Sequence, residues 1–555
     1  MPEKDFNLLK EGWVKVLTRR MDVKEVSLTD AIVHAHEYKM LAGEMPTQDF
    51  ALFRLLLACV QTIFYRYDAE NNSSRIDEWW DKEEILERWK QYWEKGCFNE
   101  DIVNNYLGGY SERFWLFHPE TPFYQTANLK YGTDYSAQSL LGNLKSSNNR
   151  ATKFHFSMYE GKQIERIPYP EAARWLIHLN GFSVNVKNSK DAPGTRDSAG
   201  VGRLGSLGLI RADGETLFEQ LMLNLTPLNP RNEAWGSPRP IWECEAGTLQ
   251  SIEIPPPDNL PQLYTLQSRR IMLTADAGTV SGFRALNGDH YPLEDDFNEP
   301  MTLWKKIEDK KTHRISYIPK KHSRQIQLWR EFPSIFNTDD MDHVPGVVRW
   351  INEICENNLA LNGEMVTFKT AGIVYADGMS YTLGDCLSDG IMLSADLVRK
   401  FSREWTQLIS DEIHKCTLVS ERALRPFAKK ISLILNKGES TAAEKYLSGN
   451  FYSRIDHSFR KWLSGINPEF SSKSETVSEW ERTACSCAAM TADEYIAAQG
   501  NNICRARDAE NILISVPGAY NEFLWTLHSI YPEIHNKERN EAENEQENGN
   551  NSVHE

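Results

Sequence analysis

Residues 194–210 read GTRDSAGVGRLGSLGLI, a run rich in glycine and serine that carries Arg196 and Arg203 between two helical patterns. Glycine lets a backbone take φ > 0 and come close to another molecule. Bare N–H groups beside arginines suit a polyanion surface, a phosphate or a DNA groove. Gly200-Val201-Gly202-Arg203-Leu204-Gly205 also fits G-x-G-x-x-G, the dinucleotide fingerprint of doubly wound α/β folds. That fingerprint sits directly after an apolar strand. Here the preceding residues, Lys190 to Asp197, read as a loop, and no P-loop lysine comes after the glycines. A nucleotide-binding enzyme using the Gly200–Gly205 loop is the alternative function, and an irregular surface loop the bland one. Asp197 partly offsets Arg196, whereas Arg203 has no acid beside it in sequence.

With 555 residues the chain is long enough for more than one domain, and its 41% hydrophobic content is that of a globular protein. A formal charge of -16 argues against a free-standing nucleic-acid binder but allows local basic patches. Nine scattered cysteines include only a C-x-C pair, Cys485 and Cys487, and fit free thiols in a reducing compartment. Met1 to Lys10 has no signal-type apolar core, and Ala51 to Val60 is interrupted by Arg54 and too short to span a bilayer. The expectation is a soluble, cytoplasmic chain with no membrane contact.

Outward from the glycine stretch, Phe6–Leu9 and Trp13–Leu17 read as a hairpin opening, and Ser27 caps a helix that carries His34 and His36 on different faces. Asp81–Glu84 starts a helix ended by Gly96, and Pro170–Asn180 is a helix with Gly181 at its end. Leu144 through His155 mixes cations, amides and an aromatic: it reads either as a loop that binds phosphate while Phe154 stacks on a base, or as a solvated loop with Phe154 tucked into the core. A strand-like run begins at Tyr264 and carries Arg269 and Arg270, whose side chains face opposite ways on a strand. Residues 301–324 hold eight Lys or Arg against two acids, the best linear candidate for a phosphate-facing patch. Val366 to Leu393 reads as strands with a turn at Asp377-Gly378.

From Ser394 the strand signals stop. Helix-length patterns run over 394–416, 440–463, 475–499 and 517–531. The expected fold class is α+β: a large mixed domain over 1–384, a C-terminal four-helix bundle over 385–536 and a disordered acidic tail over 537–555.

In order and spacing these segments resemble the large subunit (CasA family) of the type I-E CRISPR surveillance complex, Cascade. The resemblance rests on Phe6-Asn7-Leu8-Leu9 with Trp13, Ala35-His36-Glu37, Leu41-Ala42-Gly43, Pro122–Thr126, Asn148-Asn149 before Phe154, His178–Phe182, the glycine stretch, Tyr264–Arg270 and Pro300-Met301-Thr302 with Trp304. It implies a non-enzymatic subunit that contacts guide RNA and the other Cascade subunits. It also implies inspection of target double-stranded DNA for a protospacer-adjacent motif, help in opening the duplex, and recruitment of a helicase-nuclease. By the resemblance, Ser198, Gly200, Gly202, Arg203 and Gly205 belong to the motif-reading loop. Arg269 or Arg270 stands for a lysine finger, and Met379 for a glutamine wedge. Lys145, Asn148, Asn149, Lys153 and Phe154 match the loop that engages the RNA handle. Some relatives bind zinc through paired cysteines, which this chain lacks there, so no metal, no cofactor and no catalytic residue is expected.

Overall fold

The computed structural model describes residues 4–141, 165–184, 186, 200–245, 253–324, 326–336, 343–375, 383–399, 403–435, 440–500, 506–509 and 512–532. The chain divides into two compact units. One takes residues 1–328, 334–361 and 366–390, and the other 329–333, 362–365 and the chain from Ile391 onward.

The first unit runs β1 (Asp5–Asn7), β2 (Val14–Thr18), β3 (Val23–Val26), α1 (Leu28–Val33), β4 (Tyr38–Leu41), α2 (Pro46–Arg66), α3 (Lys82–Lys95), α4 (Glu100–Gly108), β5 (Trp115–Phe117), β6 (Thr133–Ser136), β7 (Ile167–Pro168), α5 (Tyr169–Phe182), β8 (Arg211–Asp213), α6 (Leu217–Asn224) and α7 (Leu260–Tyr264). It continues through β9 (Arg269–Asp276), β10 (Thr279–Asn287), β11 (Trp304–Glu308), β12 (Ile315–Pro319), the short α8 (Phe332–Ile335), α9 (Gly346–Glu356), β13 (Met365–Tyr375) and β14 (Leu383–Ser394), of which α8, β13 and β14 each have residues in both units. Its sheets are small. β10 is flanked by β9 on one side and by β6 and β7 on the other; β14-β13-β8 and β3-β2-β4 make two further sheets.

Several expectations are corrected here. β1 pairs with β5 rather than with β2, and the hairpin is β2–β3, closed by a turn in which Met21 takes φ 67. α1 ends at Val33. His34 caps it and turns back to Asp30, Nδ1 to Oδ1 at 2.5 Å, and His36 lies beyond it. Tyr264 closes a helix, capped at its start by Asn259, and the strand begins only at Arg269. The reading of α3 agrees with the structure. Asp81 and Glu84 form a reciprocal capping box, and Gly96 takes φ 72 at the C-cap.

α2 is the spine of this unit. Pro46 fits its first turn, and Asp49 sits near its positive end. By length and composition α2 could cross a membrane, yet 94% of its most apolar window is buried inside the fold. Arg54 is the one charge in its middle. It is 1% exposed and meets Glu299 through two hydrogen bonds, Nη1 to Oε1 at 2.7 Å and Nη2 to Oε2 at 3.0 Å. Burial opposes the ionised carboxylate, but Arg54 holds the Glu299 carboxyl below its usual range.

In the second unit, α10 (Arg403–Leu418) passes through a π-helical turn, Val419–Leu424, into α11 (Arg425–Ile434), followed by α12 (Thr441–Ser464), α13 (Lys473–Ala497), a strand pair β15 (Arg507–Ala509) and β16 (Ile512–Ile514), and α14 (Val516–Ile530). The helical rod starts nine residues later than Ser394, because β14 runs to that residue. It also extends further than the sequence pattern suggests. Pro426 sits in a first turn just after the π-turn, where its missing N–H is tolerated. Trp329 anchors the core of this unit, stacking on Phe459 at 4.2 Å and donating its indole N–H to Asp456 at 2.8 Å. Lys415 bridges Glu412 (2.7 Å) and Glu481 (2.5 Å) between α10 and α13. Burial pushes the Glu412 carboxyl up to about 7 despite Lys415 beside it.

Each buried carboxylate sets a stability prediction. Glu299→Gln leaves the Arg54 charge buried and uncompensated and should cost ~3–5 kcal/mol in urea unfolding, whereas Arg54→Met combined with Glu299→Leu should recover much of that loss. Glu412 binds its proton more tightly folded than unfolded. Its contribution is therefore complete below the ordinary carboxylate value and is lost as pH rises through about 7. The helical unit should unfold more easily at pH 8 than at pH 5, and Glu412→Gln should flatten that difference in urea titrations.

Candidate nucleic-acid interface

The glycine loop is held against the C-terminal end of α5. The Gly202 N–H donates to Ser183 O at 2.8 Å, and Tyr375 Oη donates to Phe182 O at 2.8 Å. Ser268, just before β9, donates its hydroxyl to Asn180 O at 2.5 Å, and the Asn180 amide donates to Arg269 O at 3.3 Å. α5, the loop and β9 are thus laced by hydrogen bonds that all end on main-chain carbonyls.

The glycines serve closeness more than φ. A Cβ on Gly202 would lie 2.5 Å from Gly181 O, and one on Gly205 would overlap the Tyr375 hydroxyl. Gly181 lies inside α5, whose C-cap is Ser183; a Cβ there would lie 2.7 Å from Leu204 Cδ1. Gly181 is therefore the contact surface for the loop, not the helix terminator expected from sequence. Among the described glycines of the loop, only Gly200 takes a positive φ, 68, with nothing within 4 Å of a Cβ. The loop runs into a three-residue 3-10 turn, Leu204–Ser206, and the neighbouring strands are antiparallel. A dinucleotide fingerprint needs a helix N-terminus there, so the nucleotide alternative finds no support in this geometry.

The three arginines lie under the loop. Arg203 points inward, with its guanidinium over the Tyr291 ring at 4.0 Å, hydrogen-bonded to Asp296 at 2.5 Å and to the Tyr291 hydroxyl, and 3.9 Å from Glu299. The acid missing beside it in sequence is supplied from 93 residues away. Arg270 donates to Asp289 Oδ1 at 2.5 Å and to Gln267 O at 3.1 Å. Arg269 donates to Ser268 O at 2.9 Å, to Gly200 O at 2.7 Å and to Val184 O at 3.4 Å. Arg269 and Arg270 do leave β9 toward different partners, as alternation requires. Each is only 2% exposed, so in this structure neither of the pair reaches outward. Arg203, 9% exposed, is likewise a buried brace. Burial pulls the Arg269 guanidinium down to about 10, against the opposing influence of Tyr375 and Tyr135, so it stays charged at neutral pH.

Above these side chains opens a pocket of about 280 Å³, lined by Val201, Arg203, Ser206, Ser268, Arg269 and His290 among others. Tyr291, Asp296, Asn180 and Ser268 are the site residues that sequence reasoning missed. Asn180 and Ser268 lie in segments that carry the resemblance but had no role assigned, and Tyr291 and Asp296 belong to no motif. The basic stretch 301–324 forms the β11–β12 hairpin, with Lys305, Lys306, Lys310 and Lys311 exposed. Ser198, Met379, Lys145, Asn148, Asn149, Lys153 and Phe154 lie outside the described residues. Among the described residues, no group of three or more His, Cys, Asp or Glu is placed to hold a metal ion.

A family model described as CRISPR-associated protein Cse1 matches residues 7–490. The CRISPR-associated protein CasA/Cse1 of Thermus thermophilus is 29% identical over 341 residues, a match that spans 60% of this chain and 60% of that relative. Among solved structures, Thermobifida fusca Cse1 superposes with a TM-score of 0.78 at 22% identity, over 95% of this chain and 98% of that one. Cse1 from Acidimicrobium ferrooxidans gives 0.75 at 22% identity, over 96% and 99%. A chain of a CRISPR RNA-guided surveillance complex gives 0.66 at 15% identity, over 94% and 99%. At such identities the structural likeness is one of fold.

The two glycines should separate by mechanism. Gly202→Ala must push the loop off α5, at a cost of about 1–3 kcal/mol for overpacking against main chain. Gly200→Ala meets no atom and should cost only the left-handed strain, roughly 1 kcal/mol. Thermal unfolding of both variants checks the order.

Proposed function

The chain belongs to the CRISPR-associated protein Cse1 family, and from that premise we propose that it is a non-catalytic subunit of a CRISPR RNA-guided surveillance complex. It inspects double-stranded DNA for the short motif beside the target, while guide pairing reads the rest. Its partners on this reading are the guide RNA, the target duplex, the other subunits of the complex and a helicase-nuclease that it recruits. It works in the cytoplasm, without a membrane and without a cofactor.

One observation carries the reading: a glycine loop pinned by buried arginines and opening on a pocket whose walls include Ser206, Ser268, Arg269 and His290. Gly200, Gly202 and Gly205 then bring main chain to the groove. Arg203, Arg269 and Arg270 act as the frame beneath that surface. Main-chain groups and a minor groove, where A·T and T·A look alike, make a degenerate reader, so several motif sequences should be accepted. The exposed lysines of the β11–β12 hairpin supply a sequence-independent hold on phosphates. Met379 and Ser198 complete the DNA side of the proposal, Met379 as an apolar wedge that unstacks the first pair beyond the motif. Lys145, Asn148, Asn149, Lys153 and Phe154 form the RNA-handle side, with Phe154 stacking on a base.

Binding of the guide-loaded complex to an intact motif-bearing duplex, and to one with a pre-opened bubble beside the motif, tests this division. Gly202→Ala should weaken both. Met379→Ala should slow opening of the intact duplex and be rescued by the bubble. Equal behaviour of motif-bearing and motif-free duplex in the unaltered complex would remove the motif-reading role.

A further inference from the structure

Arg203, Arg270 and Arg54 each have a carboxylate: Asp296, Asp289 and Glu299. Arg269 differs. Among the described residues its guanidinium meets no carboxylate, only the carbonyls of Ser268, Val184 and Gly200. A buried charge without a counter-charge is costly, so this cation sits in a place where its field has use. The shortest of its three bonds goes to Gly200 O at 2.7 Å, on the one described loop glycine with a left-handed φ.

The carbonyl of Gly200 and the N–H of Val201 share one peptide plane, and in a trans peptide they point opposite ways. With the oxygen turned down onto Arg269, the N–H is turned away from it. Val201 is half-buried and lines the pocket above the loop. Among the described residues no main-chain acceptor takes its N–H. A cation at the carbonyl end also polarises the peptide and strengthens the donor at the other end.

We propose that Arg269 is a positioning residue that locks the Gly200–Val201 peptide so that the Val201 N–H is presented as a hydrogen-bond donor to an acceptor on the DNA duplex. The inference rests on the duplex-reading function proposed above and names the atom that does the reading. The arginine acts through the peptide without touching the nucleic acid. The acceptor is either a minor-groove base atom or a backbone phosphate oxygen. Loss of a base contact erases preference for the motif, whereas loss of a phosphate contact weakens all duplexes alike.

The test uses the full guide-loaded complex and three changes. The first is an amide-to-ester replacement at residue 201, introduced as the α-hydroxy analogue of valine, which deletes the N–H and keeps the side chain. The others are Arg269→Met and Arg269→Lys. Binding is measured on motif-bearing and motif-free duplex, and unfolding on each protein. The ester should weaken motif-bearing duplex about tenfold, the worth of one good hydrogen bond. Arg269→Met should lose at least as much, Arg269→Lys should restore part, and Arg269→Met combined with the ester should be no weaker than Arg269→Met alone. An ester that binds as the unaltered complex does, or losses that multiply in the combination, would overturn the inference. Should Arg269→Met not fold, the ester and Arg269→Lys still decide it. If the unaltered complex fails to prefer the motif, the functional reading itself falls; if it prefers the motif and the ester changes nothing, only this inference falls.

Discussion

The candidate interface depends on one buried ion pair, Arg54 with Glu299. Both groups are within 1% of full burial, so neither is stabilised by solvent. A lone buried carboxylate would take up a proton; a bidentate guanidinium keeps it charged. The same acidic segment supplies Asp296, which takes Arg203 from the glycine loop. Arg203 in turn lies 3.9 Å from Glu299. Two arginines from α2 and the loop thus share two acids from one short stretch, 296–299. Truncating any member leaves a charge stranded, which is far more costly than the pair is favourable. The geometry is accordingly stiff, and the loop above it inherits that stiffness.

Stiffness explains why the loop is built of glycine. Gly202 and Gly205 are needed because α5 and Tyr375 come too close for a Cβ. Gly181 makes the same allowance from the helix side, facing Leu204. G-x-G-x-x-G spacing arises here from close packing of a loop on a helix end. The dinucleotide motif uses glycines for the same physical reason, close approach, but around a phosphate. The pattern alone does not say which partner comes close. The antiparallel strands and the 3-10 turn after the loop do.

Much of this unit was legible locally. The capping box of α3 and the burial of α2 arise from residues a few positions apart, where sequence patterns carry direct physical content. Fold class was legible for the same reason, as was the change to helices late in the chain. The site was legible only in part. That Arg269 and Arg270 diverge is a consequence of strand alternation, but that both are buried is not. Their partners at Gly200, Val184 and Asp289 come from other segments of the chain. The hairpin misread at the N-terminus has the same origin, since β1 finds its partner across about a hundred residues, at β5. The helical pattern read over 394–416 gave no sign that the rod continues through a π-turn at Val419–Leu424 into α11, since a widened register breaks the 3.6-residue period.

A net charge of -16 is at odds with a DNA-reading role only if affinity is taken as the goal. An acidic protein repels duplex at most of its surface, which suppresses the non-specific binding that phosphate attraction otherwise supplies. Contact is then confined to where the field reverses. Two such places among the described residues of the first unit are the exposed lysines of the β11–β12 hairpin and the buried Arg269, which meets no carboxylate there. They differ in reach. Surface lysines act over a screening length and weaken with salt. A guanidinium that is 2% exposed and bonded to main-chain carbonyls acts at hydrogen-bonding range and is largely shielded from counter-ions. On the proposed reading, the first brings any duplex near, and the second distinguishes one duplex from another. A reader that must scan many sites and hold few is better served by placing its decisive charge under the surface than on it.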